Sequence, residues 1–264
     1  MALRPAALPL VCIILILASS ATATCQHYHA WPVYRYSSGL PGGGWGVTPD
    51  GIPGFDGAIQ INVPVAYTPH RGAIIGYSWA SLDSNIRFKT HGDMVTGQGW
   101  IALGLGSSGR GLFVCEMPTA YAYEPMQNVQ QQFLAEGDRQ PAVAFGIQDI
   151  FENRDRYLGA PDHLHDTRSP YVVATKQFGE GPNPLHLTLG WGSGRFNDSL
   201  FAGASWRVKE DFTLMAEYDG FNPNVGIAFD LSQAIADDTV GFAGLVDLER
   251  PIFGITYIHS GLAL

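Results

Sequence analysis

From Leu185 onward the chain alternates with a period of two: Leu185, Leu187, Leu189 and Trp191 share one parity, and His186, Thr188, Gly190 and Gly192 share the other. Such a period belongs to extended strands, whose successive side chains point to opposite faces. Three more segments repeat it. Leu200, Ala202, Ala204, Trp206 and Val208 oppose Gly203, Ser205 and Arg207, and Phe212, Leu214, Ala216 and Tyr218 oppose Thr213, Met215, Glu217 and Asp219. Val225, Ile227, Phe229 and Leu231 oppose Asn224, Gly226, Ala228 and Asp230. The links Arg195 to Asp198, Lys209 to Asp211 and Gly220 to Pro223 are short and rich in turn residues, so successive strands pair as antiparallel hairpins. This is a meander and not a βαβ unit.

The chemistry of the two faces decides what kind of meander it is. One face is large and apolar, while the other is Gly, Ala, Ser, Thr, Asn and Gln with scattered charges. Charged residues make up only 15% of the chain, well short of the roughly 25% of a soluble domain. A soluble sandwich buries its large side chains and shows water a charged outside; here the second face is too small and too poor in charge. A membrane barrel inverts this, with the apolar face in lipid and the small polar face inside.

Further alternation runs through Ile59, Ile61, Val63, Val65 and Tyr67, through Val143, Phe145 and Ile147, through Val240, Phe242, Val246 and Leu248, and through Phe253, Ile255 and Tyr257. Less regular segments span 73–79, 99–106, 111–117 and 171–179. The expected fold is an all-β, antiparallel up-and-down transmembrane β-barrel of about twelve strands, give or take two. Tyr67, Trp79, Trp191, Trp206 and Tyr218 are placed in interfacial girdles. Lys176, His186, Arg207, Glu217, Asp219, Asp230 and Asp247 are expected to face a polar, mostly acidic lumen. Because a barrel of about eight strands is already filled by side chains, little free space is expected inside.

The start of the chain has the order of a secretory signal over residues 1–23: Arg4, an apolar run from Leu8 to Ala18, and Ala21-Thr22-Ala23 as a small-residue cleavage site. Residues 24–56 are Gly- and Pro-rich and form an extended entry segment that either plugs the barrel or stays outside; the barrel is assigned to residues 57–264. Residues 118–139, polar with a short helical tendency, and 151–170 are expected to be long loops. Of the cysteines left after the signal, Cys25 and Cys115 either pair or stay free; Cys25 directly follows the apolar run, but Thr22 and Thr24 do not fit a lipidation site, and cleavage after Ala23 matches the small-residue rule better. A net charge of -9 leaves no basic footprint for nucleic acid.

No catalytic, cofactor or metal site emerges. Gly104-Leu-Gly106-Ser-Ser-Gly109 matches a dinucleotide fingerprint in letters, but a strand-like Arg110 to Val114 follows it where a helix is needed. His163 and His165, between Asp162 and Asp166, lack a clear third metal ligand. Gly192-Ser-Gly194 is not a nucleophile elbow. His186 is the one histidine on the inner parity of a clean strand, near Ser205 or Glu217 of neighbouring strands, which is the sole hydrolase-like grouping.

Residues 141–230 carry a resemblance. Pro141 to Asp149, Tyr171 to Lys176, Leu187 to Gly192, Glu217-Tyr-Asp219 and Asn224-Val-Gly226 follow one another as in the YjbH-like outer-membrane proteins linked to exopolysaccharide biosynthesis. The resemblance implies an outer-membrane barrel with a role in making or exporting extracellular polysaccharide, with outer-membrane lipid, polysaccharide and export-complex proteins as partners. It carries over no catalytic residues. The alternatives are a secreted soluble β-sandwich that binds glycans, a small outer-membrane channel, or an outer-membrane hydrolase.

Overall fold

The computed structural model describes residues 39–80, 88–90, 93–95, 97–117, 126–151, 168–179, 181–236 and 238–259. Twelve strands close into one antiparallel barrel. In chain order these are β3 (Ala73–Ala80), β6 (Gly97–Leu105), β7 (Leu112–Met117), β8 (Met126–Leu134), β9 (Ala142–Gln148) and β10 (Ser169–Phe178). They continue as β11 (Leu185–Gly192), β12 (Ser199–Lys209), β13 (Phe212–Tyr218), β14 (Pro223–Asp230), β15 (Thr239–Val246) and β16 (Arg250–His259). Each pairs with the next, and β16 pairs with β3, from Ile252 opposite Ala80 to His259 opposite Ala73. That last ladder satisfies the two edges an open sheet would expose. Two short hairpins lie outside the barrel sheet: β1 (Gly46–Val47) with β2 (Pro53–Gly54), and β4 (Phe88–Thr90) with β5 (Asp93–Val95). Closure into a single sheet excludes the two-sheet sandwich.

The apolar parity faces outward. Ile75, Ile101, Phe145, Val172, Leu189, Trp191, Leu200, Leu245, Phe253 and Tyr257 are all exposed large hydrophobics on the outer wall, several of them more than half accessible. A soluble monomer rarely shows a contiguous apolar patch beyond a few hundred Å², and here the apolar surface runs around the barrel. Trp79 stacks on Phe253 across the closing ladder, with ring centroids 5.1 Å apart.

Two segments exchange roles relative to the sequence expectation. Residues 126–134, assigned to a polar loop, form β8. Residues 59–67, expected to be a strand, take no place in the barrel. They lie inside it, and every residue from Ala58 to Pro69 is buried. Tyr67 therefore stands in the interior and not in a girdle. Nor do side chains alone fill the lumen: its room is taken by the chain's own residues 39–72.

This internal segment crosses the lumen three times, as its wall contacts trace. Gly39 lies at the β7–β8 end, where Asn128 Nδ2 donates to its carbonyl at 3.1 Å. Gly51 is at the opposite end, with His70 N–H donating to its carbonyl at 3.3 Å. The chain then returns to Asn62 beside the β11–β12 connection and comes back to Thr68, from which it enters β3. The passes bind one another through Gly44 N–H to the Gln60 carbonyl (2.8 Å), Val47 N–H to the Ala58 carbonyl (3.2 Å) and Val65 N–H to the Pro41 carbonyl (2.9 Å).

Candidate functional site

The lumen wall divides into two arcs, and the plug meets each with different chemistry. The arc from β8 to β14 carries most of the buried polar side chains of the inner parity, interspersed with Ala144, Tyr171, Val173, Phe201 and Met215. Asn128, Gln130 and Gln132 of β8, Thr175 of β10, Thr188 of β11, Ser205 of β12, Glu217 of β13 and Asn224 of β14 are all buried. Six of them, all but Thr188 and Asn224, bond the backbone of the plug. Ile59 N–H donates to Ser205 Oγ (3.2 Å), Ala66 N–H to Thr175 Oγ1 (2.8 Å) and Thr68 N–H to Gln132 Oε1 (3.0 Å), while Gln130 Nε2 donates to the Val65 carbonyl (2.9 Å). An extended segment that is not in a sheet leaves its amides without ladder partners, and buried amides must be paired.

Glu217 is the densest anchor. Its Oε2 accepts from Ile61 N–H (2.9 Å) and Val63 N–H (3.2 Å), and its Oε1 from Asn62 N–H (2.8 Å) and Asn224 Nδ2 (2.9 Å). Consecutive backbone N–H groups converging on one anion form a nest, and bonds to a charged acceptor contribute about 1.5–3 kcal/mol each. Asn224 Nδ2 also donates to Asp219 Oδ2 (3.0 Å), while Asp219 Oδ1 caps the β13–β14 turn through Phe221 and Asn222 N–H. Gly203, cross-strand from Glu217, carries no Cβ where the Gln60 side chain lies: a Cβ there would sit 2.6 Å from the Gln60 amide.

Two arginines complete the hold. Arg195, in the 3-10 turn Gly194–Phe196 between β11 and β12, is buried, and its guanidinium donates to the Asn62 carbonyl (2.9 Å) and Gln148 Oε1 (2.8 Å). Arg207 pairs with Asp56 of the plug and stands over the Phe55 ring, 5.2 Å from its centroid.

The arc from β15 through β16, β3 and β6 to β7 is mainly apolar inside. Val240, Phe242, Val246, Ile252, Ile258, Ile74, Trp100, Phe113, Cys115 and Met117 are buried on it. Against it pack residues 39–47: Trp45 meets Phe113 with centroids 5.9 Å apart, Gly44 lies on Phe242, and Gly39 lies on Met117. This reverses the expected orientation of β15, for Val240, Phe242 and Val246 point in and Gly241, Ala243 and Leu245 point out. With the lumen filled by protein, that side of it is an ordinary hydrophobic core.

The sequence-assigned lumen residues are distributed as follows. His186, Arg207, Glu217 and Asp219 all lie on or beside the polar arc, His186 and Arg207 toward the end that carries the β12–β13 turn and Glu217 and Asp219 toward the opposite end. His186 is buried, with Nε2 3.3 Å from Gln177 Oε1 and its ring edge-on to Tyr67. Asp230 has the inner parity but sits exposed at the end of β14, its Oδ1 accepting from Ser232 N–H. Asp247 lies in the β15–β16 turn with φ of 58°, its N–H donating to Asn224 Oδ1 (3.0 Å). Lys176 departs from expectation: it shares the outer parity of Val172 and Ala174, cross-strand from Leu187, and its Nζ pairs with Glu136 Oε1 (2.7 Å). Glu136 also accepts from the Tyr67 hydroxyl. Nothing in the sequence marks Arg195, Gln130, Gln132 or Thr175: a lone arginine in a tight turn and inner-parity glutamines in a two-sided polar strand give no alternation to detect.

Of the hydrolase-like grouping, His186 is cross-strand from Ser205, Ser205 Oγ accepts Ile59 N–H and Glu217 holds residues 61–63. Residues 104–109 form the end of β6 and a turn into β7, closed by Arg110 N–H to the Ser107 carbonyl (2.9 Å). No group of three metal-capable side chains occurs among the described residues. Residues 1–23, Cys25, His163 and His165 lie outside the described residues, whereas Cys115 is buried beside Gly39.

No family model matches the chain, and no curated protein matches it. Among solved structures it is similar to a KdgM porin in complex with disordered oligogalacturonate (10% identity, 72% of this chain and 99% of that one, TM-score 0.46). A KdgM porin (12%, 70% and 98%, 0.44) and an outer membrane channel from Pseudomonas putida F1 (11%, 72% and 96%, 0.42) are similar at the same level.

Proposed function

We propose that this chain is an outer-membrane β-barrel that acts without enzymatic chemistry in the making or export of extracellular polysaccharide, and that its own segment 39–72 keeps the barrel shut. The observation that carries the membrane reading is the outer wall: a closed barrel with large apolar side chains exposed around its circumference is built for lipid. The secretory signal supplies the export route, and the end opposite the long β3–β6 and β9–β10 connections, which carries Glu210–Asp211 between β12 and β13, faces the periplasm by the usual arrangement of such barrels. The polysaccharide role rests on the YjbH-like resemblance of residues 141–230.

Closure supports a scaffold or a gated passage over an open pore. Full-length protein in planar bilayers is expected to give little or no conductance, and a large, stable porin-like step overturns the closed reading. Recovery in the outer membrane, with a shift in gel mobility on boiling, is expected of the folded barrel; soluble protein with no shift overturns the membrane assignment. Deletion of the gene is expected to lower extracellular polysaccharide, and an unchanged yield removes that role.

A further inference from the structure

At the end of the barrel that carries the β12–β13 turn, plug and wall jointly line an open cavity of about 640 Å³. The plug contributes Pro49 and Asp50; the wall contributes Glu136 and Asp138 from the β8–β9 connection, and Gln177 and Phe178 from the end of β10. The volume falls in the range of small-molecule sites.

We propose that this mouth binds an uncharged oligosaccharide, a statement that names the ligand class for the polysaccharide reading above and rests on it. Phe178 is 41% exposed and offers an aromatic face to the C–H side of a pyranose. The Gln177 amide already meets His186 and the Gly179 carbonyl and keeps one N–H to donate, while Asp50 and Asp138 are exposed carboxylates with no ion-pair partner among the described residues, free to accept from vicinal hydroxyls. Glu136 is already engaged by Lys176, by the Tyr67 hydroxyl and by Gln177 N–H at 3.2 Å, so the cavity keeps two uncompensated negative charges. Those charges repel uronates and other acidic glycans. Because Asp50 belongs to the plug and the other groups to the wall, the sugar touches both. It therefore binds the seated plug in preference to a displaced one and holds the barrel shut.

The test is calorimetric titration of the purified full chain in detergent with neutral linear hexasaccharides of α-glucan, β-glucan and β-mannan type, and with a hexagalacturonate of equal length. Binding of at least one neutral hexamer, no binding of the uronate, and about tenfold weaker binding in both Phe178→Ala and Asp50→Asn are expected. Heat-dependent gel mobility reports whether each variant remains a folded barrel. No neutral binding, uronate binding of equal strength, or unchanged affinity in both variants overturns the site. Such a result in protein that is recovered from the outer membrane and shifts on heating leaves the barrel reading standing, whereas loss of both sinks the reading beneath it.

Discussion

The two arcs of the lumen wall hold the same plug by opposite means. On the polar arc, side chains meet backbone: Glu217, Thr175, Ser205, Gln130 and Gln132 pair with amides and carbonyls of residues 59–68. On the apolar arc, side chains meet side chains and bare glycines, with Phe113 on Trp45 and Phe242 on Gly44. Directional bonds fix where a chain lies along the wall; apolar contact contributes cohesion roughly in proportion to area but tolerates sliding. The polar arc therefore sets the register of the plug, and the apolar arc sets how tightly the filled barrel holds together.

Glu217→Ala is the strongest test of this division. It strips one acceptor from Ile61, Asn62 and Val63 together, leaving three buried N–H groups at a cost of about 1–3 kcal/mol each, less whatever entering water recovers. The plug's middle turn is expected to leave the wall, and conductance steps absent from the wild type are expected in planar bilayers. A silent bilayer with this variant breaks the assignment of register to the polar arc.

Phe113→Ala cuts the other way. Removing a buried ring costs about 3–5 kcal/mol in a rigid core. The expected readout is a lower unfolding temperature in detergent with conductance still closed, because the backbone bonds of the polar arc are untouched. If Phe113→Ala opens the barrel as readily as Glu217→Ala does, the arcs are not distinct in kind and the plug is held by bulk contact alone.

The same contrast explains what could be read from sequence. The outer wall was legible because lipid demands one chemistry on every strand, so Leu187, Leu189 and Trp191 alternate cleanly with Thr188, Gly190 and Gly192. The inner wall was legible only on the polar arc, where Ser205, Arg207 and Glu217 contrast with their neighbours. On β15 both faces are apolar or small, and nothing local tells Phe242 that it meets a plug and Leu245 that it meets lipid. The alternation of Ile59 to Tyr67 reports extended backbone correctly, but a period of two does not say whether the chain's amides bond a neighbouring strand or side chains of the wall. β8 failed in the reverse sense: Gln127, Gln131, Asn128, Gln130 and Gln132 put amides on both faces, so a barrel strand looked like a loop.

The smallest expected effect sharpens the comparison most, because it separates the shape of a contact from its bond. Thr175 is buried, and its Oγ1 accepts from Ala66 N–H while lying 3.0 Å from Thr188 Oγ1. Thr175→Val keeps the volume and the β-branch and removes only the hydroxyl, so any loss belongs to the hydrogen bonds, about 1–2 kcal/mol for one unpaired N–H and a bereft Thr188 hydroxyl. Thr175→Ser keeps the hydroxyl and loses a methyl, at a cost of about 1 kcal/mol from packing. Amide exchange at Ala66 distinguishes the two. It is expected to quicken in the valine variant and stay protected in the serine variant, even where the two unfold at similar temperatures. Equal protection in both means that residues 64–68 are held by enclosure, and that the wall's hydroxyls merely satisfy a chain whose position is set elsewhere.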